Sequence, residues 1–296
     1  TTYTWTNTDP TTGLTTTGSS DIGFTAVNTG TSPITTTVVV TPGFTNGGNS
    51  NTGPTDTFTI TVNPTAQIDP INNIVVCNQD SIEIVFTTQN TGGVTTYAWT
   101  NTNTSIGLAA NGTGTIASFT AINTSTVTQS ATITVTPTFE NGGNSNTGSA
   151  VTFTITVNPT AQVESINSQV VCNEDSTNAI SFTTTNTDGT TSYSWTNDNT
   201  STGLAASGTG DITPFTAINT SNSSIGSTIT VTPTYTNNGI SCTGPSDTFT
   251  ITVNPTAQVE SIDSQVVCNG ESTDAISFTT TNTDGTTSYS WTNDNT

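Results

Sequence analysis

Two recurring stretches of the chain alternate threonine with bulky apolar residues. In TFTITVN, Phe153, Ile155 and Val157 alternate with threonine, and in ATITVTPTF the residues Ile133, Val135 and Phe139 do the same. A period of two marks a strand with one buried face, and β-branched threonine suits the wet face. Helical periodicity is found nowhere. Within residues 160–255 the pattern predicts strands at Gln169–Cys172, Ala179–Thr184, Ser192–Asn197, Asp211–Ala217, Ser227–Thr236 and Asp247–Asn254. Short strands at this spacing predict an all-β fold, an Ig-like β-sandwich. Tight turns with positive φ are expected at Asp188-Gly189, Asp284-Gly285 and Gly92-Gly93. The last two long strands read as a hairpin joined by a loop rich in Asn and Gly, residues 237–246.

The whole pattern recurs. TFTITVNPTAQ begins at Thr57, Thr152 and Thr248; tryptophans stand at Trp5, Trp99, Trp195 and Trp291; VVC triplets end at Cys77, Cys172 and Cys268. Self-similarity at a fixed period is the signature of a tandem array. Each unit ends in Asn-Pro-Thr, where proline lacks an amide donor and closes the strand. These boundaries give the C-terminal part of a repeat in 1–64, repeats in 65–159 and 160–255, and the N-terminal part of a further repeat in 256–296. Starting and stopping in mid-repeat reads as a window on a longer protein. Linkers this short predict sandwiches stacked end to end as a semi-rigid rod.

Composition narrows the function. The chain has 20 acidic residues and no Lys, Arg or His, for a net charge of −20. Nothing can neutralise phosphate, so ordinary nucleic-acid binding is excluded and adsorption to anionic membranes is opposed. No apolar run is long enough to insert into a bilayer. Like charge keeps neighbouring copies apart and soluble. So polar a composition also fits disorder, but the strand periodicity argues for folded domains.

Candidate chemistry is sparse. Without His or Lys, a Ser or Thr nucleophile has only carboxylates to activate it. A carboxylate pair suffices for a glycosidase, yet the acids wander between copies: Glu174-Asp175 becomes Gln79-Asp80 and Gly270-Glu271, and Asp198 becomes Thr8 and Thr102. No enzyme activity, catalytic residue or cofactor is therefore expected. Calcium is the alternative, with Glu164, Glu260 and Asp263 as candidate junction ligands. Tyr193 and Trp195 share a strand face, as do Tyr3 and Trp5, Tyr97 and Trp99, and Tyr289 and Trp291. They could stack on a sugar, but a tryptophan on the third strand of such a sandwich packs in the core more often. Within 160–255 the partner open to Cys172 is Cys242, whose counterparts are Asn51 and Asn146. A Cys172–Cys242 disulfide in an oxidising exterior is expected, with two free thiols as the alternative.

The run from TFTITVNPTAQ through QVVCN, YSWTN and GLAASGTG to FTA and TITVTPTYTN resembles the PKD-like repeats of giant Bacteroidota cell-surface adhesins over the whole chain. The resemblance implies a long extracellular filament, exported by type IX secretion, carried by the gliding machinery, and adhering to surface polysaccharide or substratum through regions outside these residues. It also implies O-glycosylation, with Ser81 in Asp80-Ser81-Ile82 and Ser176 in Asp175-Ser176-Thr177 as candidates. PKD domains carry a WDFGDG-type strand where this chain has YSWTNDN, so their calcium and partner sites do not transfer. The expected function is the structural stalk of a surface adhesin filament. A calcium- or glycan-binding module, or a spacer in a large secreted enzyme, is the alternative.

Overall fold

A computed structural model describes residues 1–295. Residues 1–64 carry β1 (Thr2–Asn7), β2 (Thr17–Gly18), β3 (Ile34–Asn46), β4 (Asn49–Thr52) and β5 (Asp56–Val62). Residues 65–159 carry β6 (Ile74–Cys77), β7 (Ser81–Ile84), β8 (Val94–Asn101), β9 (Asn111–Thr113), β10 (Ile116–Thr120), β11 (Gln129–Asn141), β12 (Asn144–Thr147) and β13 (Val151–Asn158). Residues 160–255 carry β14 (Gln169–Cys172), β15 (Thr190–Asn197), β16 (Ser207–Thr209), β17 (Ile225–Asn237), β18 (Ile240–Thr243) and β19 (Asp247–Asn254). Residues 255–295 carry no strand. Contacts divide the chain into two compact units, 1–123 with 129–157, and 124–128 with 158 onward.

The main sheet of 160–255 runs β14-β19-β17-β15-β16, with β18 paired to β17. The order in 65–159 is the same, β6-β13-β11-β8-β9, with β12 on β11. Most pairs are antiparallel, but β14 runs parallel to β19, Gln169 opposite Ile251 through Cys172 opposite Asn254. The second layer of 65–159 is the β7–β10 pair. These are Ig-like β-sandwiches: three long central strands, a parallel first strand on one edge, and a smaller facing layer.

Apolar alternation determines which faces meet. Along β11 every second residue from Ala131 to Phe139 is buried, and with Phe153, Ile155 and Val157 of β13 it closes on Ile82, Ile84 and Phe86. The equivalent core of 160–255 holds Ile229, Val231, Phe249, Ile251 and Val253 against Ile180 and Phe182.

Two expectations need correction. The strands expected at Ala179–Thr184 and Asp211–Ala217 shrink to single bridges, Ile180–Ile212 and Ser176–Thr216. Pro214 stands where β10 has Ser118, and without an N–H it cannot continue the ladder. The segment expected to be the loop of the final hairpin is itself paired. Asn238 (φ 48°) and Gly239 (φ 77°) make a two-residue turn, and β18 returns along β17 from Ile240 to Thr243. The positive φ expected at the three tight turns is present, at Asp188 (67°), Gly92 (74°) and Gly285 (80°). Gly189 is required by space, because a Cβ there would come within 2.6 Å of the Tyr235 ring.

In 1–64 no second layer forms. Phe58 is therefore 44 % exposed, whereas Phe153, at the same phase, is 2 % exposed.

Candidate functional site: the joint between repeats

In the two complete repeats the tryptophans are core residues, not a ligand platform. Trp99 and Trp195 lie in the two cores, each over a cross-strand glycine, Gly112 or Gly208. Tyr97 and Tyr193 pack against the same cores and tilt onto Phe86 and Phe182, with ring centroids 5.4 Å apart in both repeats. Burial pushes both phenols above their ordinary value.

Two of the three candidate calcium ligands are tied to their own repeat. Glu164 accepts from Thr183 Oγ1 and Glu260 from Thr279 Oγ1; Asp263 is exposed. Among the described residues, no three His, Cys, Asp or Glu side chains gather as a metal cluster. Ser81 and Ser176 are both exposed. Ser81 Oγ lies 2.8 Å from Ser118 Oγ, and Ser176 Oγ donates to Thr177 O at 3.4 Å.

The Cys172–Cys242 disulfide is overturned. Cys172 and Cys268 are free and exposed, whereas Cys77 and Cys242 are disulfide-bonded. The sheet explains why. Cys172 lies opposite Asn254, next to the Ile225 end of β17. Cys242 lies opposite Tyr235, about ten residues further along β17, or roughly 33 Å at about 3.3 Å per residue. A disulfide tolerates only about 4–7 Å between Cα atoms.

The arrangement that recurs most faithfully lies at the linkers. In the first unit, Asn90 is buried and sits at a three-way meeting of chain segments. Its Oδ1 accepts from the Gln67 amide at 2.7 Å and from Thr88 Oγ1 at 3.1 Å. Its Nδ2 donates to Thr65 O at 3.2 Å and Thr31 O at 3.4 Å. Thr31 belongs to the preceding sandwich, Thr65 and Gln67 to the linker, and the Thr91 amide adds a bond to Thr31 O at 2.9 Å. A second clamp holds the linker's other side. Asn63 Nδ2 donates to Asn141 O at 3.0 Å and Asn144 O at 3.4 Å, and its Oδ1 accepts from Asn141 Nδ2 at 3.0 Å. Gly148 is part of the fit, since a Cβ on it would come within 1.9 Å of Ala66 O.

The second unit repeats the set. Asn186 accepts from the Gln162 amide at 2.8 Å and donates to Thr160 O at 3.2 Å and Thr126 O at 3.4 Å. Asn282 accepts from the Gln258 amide at 2.9 Å and donates to Thr256 O at 3.2 Å and Asn222 O at 3.5 Å. Asn158 Nδ2 donates to Asn237 O and Ile240 O, both at 3.4 Å. A primary carboxamide suits this post because it accepts and donates along one edge, so a single side chain can satisfy backbone groups of several segments. These asparagines escape a search for catalytic or metal-binding residues; the signal that could have found them is their recurrence at one repeat phase in a chain rich in asparagine.

The linker is also tied to its own sandwich. Asp69 accepts from Thr87 Oγ1 at 2.6 Å and Gln89 Nε2 at 3.0 Å. The Thr87 bond, then the Gln89 bond, hold its carboxyl below the ordinary 3.8. With the folded value depressed, these bonds support the fold at pH above that ordinary value and are lost as pH falls through the folded one. Thr87→Val is expected to move the Asp69 midpoint back up towards 3.8, read by carboxyl carbon NMR. An unchanged midpoint would remove the hydroxyl as its cause.

Residues 65–159 and 160–255 are thus Ig-like sandwiches in tandem along the chain, each entered by a hydrogen-bonded linker. Neither a protein-family model nor a curated protein matches the chain. Among solved structures, it is similar to the three N-terminal domains of the bacteriophage RB49 outer capsid protein Hoc, at 14 % identity and TM-score 0.41 over 86 % of this chain and 88 % of that one. It is also similar to mouse cadherin-23 EC22-24, at 11 % identity and TM-score 0.32 over 86 % of each chain. A third is Sidekick-1 immunoglobulin domains 1–4, at 12 % identity and TM-score 0.33 over 86 % of this chain and 67 % of that one. No helix among the described residues is long and apolar enough to cross a membrane.

Proposed function

We propose that this segment is a stalk in an extracellular adhesin filament on a bacterial surface, serving adhesion and, by its resemblance to Bacteroidota surface repeats, gliding motility. The observation that carries the reading is the recurrence of one joint, built on Asn90, Asn186 and Asn282, at three linkers. A chain selected to bind through its loops has no need to repeat its linker bonds; a chain selected to hold a spacing does. The uniform negative charge limits lateral association of neighbouring stalks. Attachment to polysaccharide or substratum, and coupling to the secretion and gliding machinery, belong to regions outside these residues.

Negative-stain images of the chain should show beads at one spacing, on the order of 40 Å for strands of this length plus loops, in calcium and in EDTA alike. Beads that collapse or lose even spacing in EDTA would replace the stalk with a calcium-organised module.

A further inference from the structure

The sheet of residues 1–64 has an open apolar face and an open edge. Phe58 is 44 % exposed and Tyr3 55 % exposed, and a cavity of about 480 Å³ lies among Tyr3, Trp5, Ile22 and Val40. Among the described residues β5 pairs with β3 alone, so its outer edge has no strand beside it. An exposed apolar edge is a template for a strand of another chain. Residues 256–295 are in the converse state. They carry no strand, and Val259, Ile262, Val267 and Ile276 are between 45 % and 56 % exposed.

The same molecule shows twice how such a segment sits on such a sheet. In 65–159, Ile82, Ile84 and Phe86 close the core, and β6 flanks β13. In 160–255, Ile180 and Phe182 close it, with Val163, Ile166 and Val171 packed against them, and β14 runs parallel to β19. Residues 253–296 differ from 157–200 only at Asp263, Gly270, Glu271 and Asp274. Every apolar residue of that layer therefore recurs, as Val259, Ile262, Val267, Ile276 and Phe278. The receiving surface recurs as well: Phe58, Ile60 and Val62 of β5 stand at the phases of Phe249, Ile251 and Val253 of β19.

We propose that residues 256–286 of one copy of this chain seat on the open sheet of 1–64 in a second copy, as its second layer. Residues 265–268 then add to the outer edge of β5 in parallel, Gln265 opposite Ile60 as Gln169 stands opposite Ile251. Phe278 leaves Tyr289, on which it stacks at 5.6 Å, and fills the cavity beside Tyr3, as Phe182 lies against Tyr193. Residues from Thr287 on are not used, because they repeat the phase of Thr1 on, and β1 already holds that place beside β3. Asn282 ties the root of the segment, at Gln258 and Thr256, to Asn222, and seating leaves that clamp unbroken. Donor and acceptor are different surfaces, so the contact is heterologous and adds copies head to tail. With no Lys, Arg or His in the chain, the attraction is apolar, and salt strengthens it by screening the like charge. The joint goes beyond the stalk reading and does not depend on it; its failure would leave the bead spacing within one chain intact.

Sedimentation of the chain over a range of concentrations in high salt should show a mean mass that rises with concentration. Hydrogen exchange should slow together at 56–62 and 265–268. Phe278→Ala disables the donor and Phe58→Ser the acceptor. Each alone should weaken association by about a hundredfold or more, the loss expected when a buried aromatic site is emptied. Mixed in equal amounts, the two variants should associate again but stop at a dimer, because the pair holds one intact donor and one intact acceptor. Phe278 lies outside any strand, so its substitution leaves the sheets intact and carries the test alone if exchange shows β3 opened by Phe58→Ser. A chain that stays monomeric at every concentration, or association that survives Phe278→Ala, would overturn the proposal. So would a mixture of folded variants that stays monomeric, or protection of 265–268 in a monomer, which is closure onto the same copy.

Discussion

Trp195→Ala is expected to destabilise residues 160–255 by about 3–5 kcal/mol, the usual cost of emptying a buried aromatic site. Small domains have only about 5–15 kcal/mol in total, so this repeat would be close to unfolding while 65–159 stays intact. The size of the effect comes from how the ring is held. Trp195 is 7 % exposed, on β15 in the middle of the sheet, and its six-membered ring covers Gly208 across the strand pair so closely that a Cβ on Gly208 would lie 2.2 Å from Trp195 Cζ2. Glycine in a strand is costly by itself, and the indole makes good the missing side chain. Alanine at 195 would leave both a cavity and an uncovered glycine. Gly208→Ala, which forces the ring out, should cost about 1–3 kcal/mol as an overpacking change. Hydrogen exchange by mass spectrometry separates the repeats and gives 65–159 as an internal reference. A loss under about 0.5 kcal/mol for Trp195→Ala, the range of ordinary surface substitutions, would place the ring at the surface and reopen the sugar-stacking reading.

Asn90→Ala should loosen the first linker without unfolding the sandwich it enters. The substitution leaves the Gln67 amide and the Thr65 carbonyl without their partner in a part-buried site, at up to about 1–3 kcal/mol, the cost of a buried group left unsatisfied. That corresponds to roughly 5- to 150-fold in a local equilibrium. The faster exchange should appear at Gln67 and at Thr91, whose amide bond to Thr31 O shares the same clamp, and should be absent from the core amides of β11 and β13. Asn90→Asp separates the two halves of the side chain's role. It keeps the acceptor for the Gln67 amide and loses the donor to Thr65 and Thr31, so Gln67 should stay protected while Thr91 opens. Equal exchange at Gln67 and Thr91 in native chain and Asn90→Ala would mean that the carboxamide does not hold the joint.

The carboxamide hub was hidden in the sequence for a physical reason. Asparagine is abundant here, and periodicity singles out faces, not the one polar residue whose carboxamide meets three segments. The cysteines were legible as a redox feature but not as a pairing: the rule that a cysteine seeks a partner in its own domain ignores where each lies along a sheet, and the parallel β14–β19 pair puts Cys172 at the wrong end. Pro214 had its consequence in plain view, since proline removes a ladder donor in any strand.

Strand faces, repeat period and the all-β sandwich class were legible residue by residue, because alternation and punctuation are local properties that every copy restates. Whether a given copy forms those strands depends on what packs and pairs against it. TTSYSWTN occurs at residues 190–197 and again at 286–293. The first copy is β15, paired along its length to β17; the second carries no strand, and its Trp291 is 74 % exposed where Trp195 is 7 % exposed. The residues are identical, and the difference is a partner. A strand's hydrogen bonds and its buried face are both supplied by its neighbours, so the strands equivalent to β17 and β19 must be in place before this segment gains anything by becoming one.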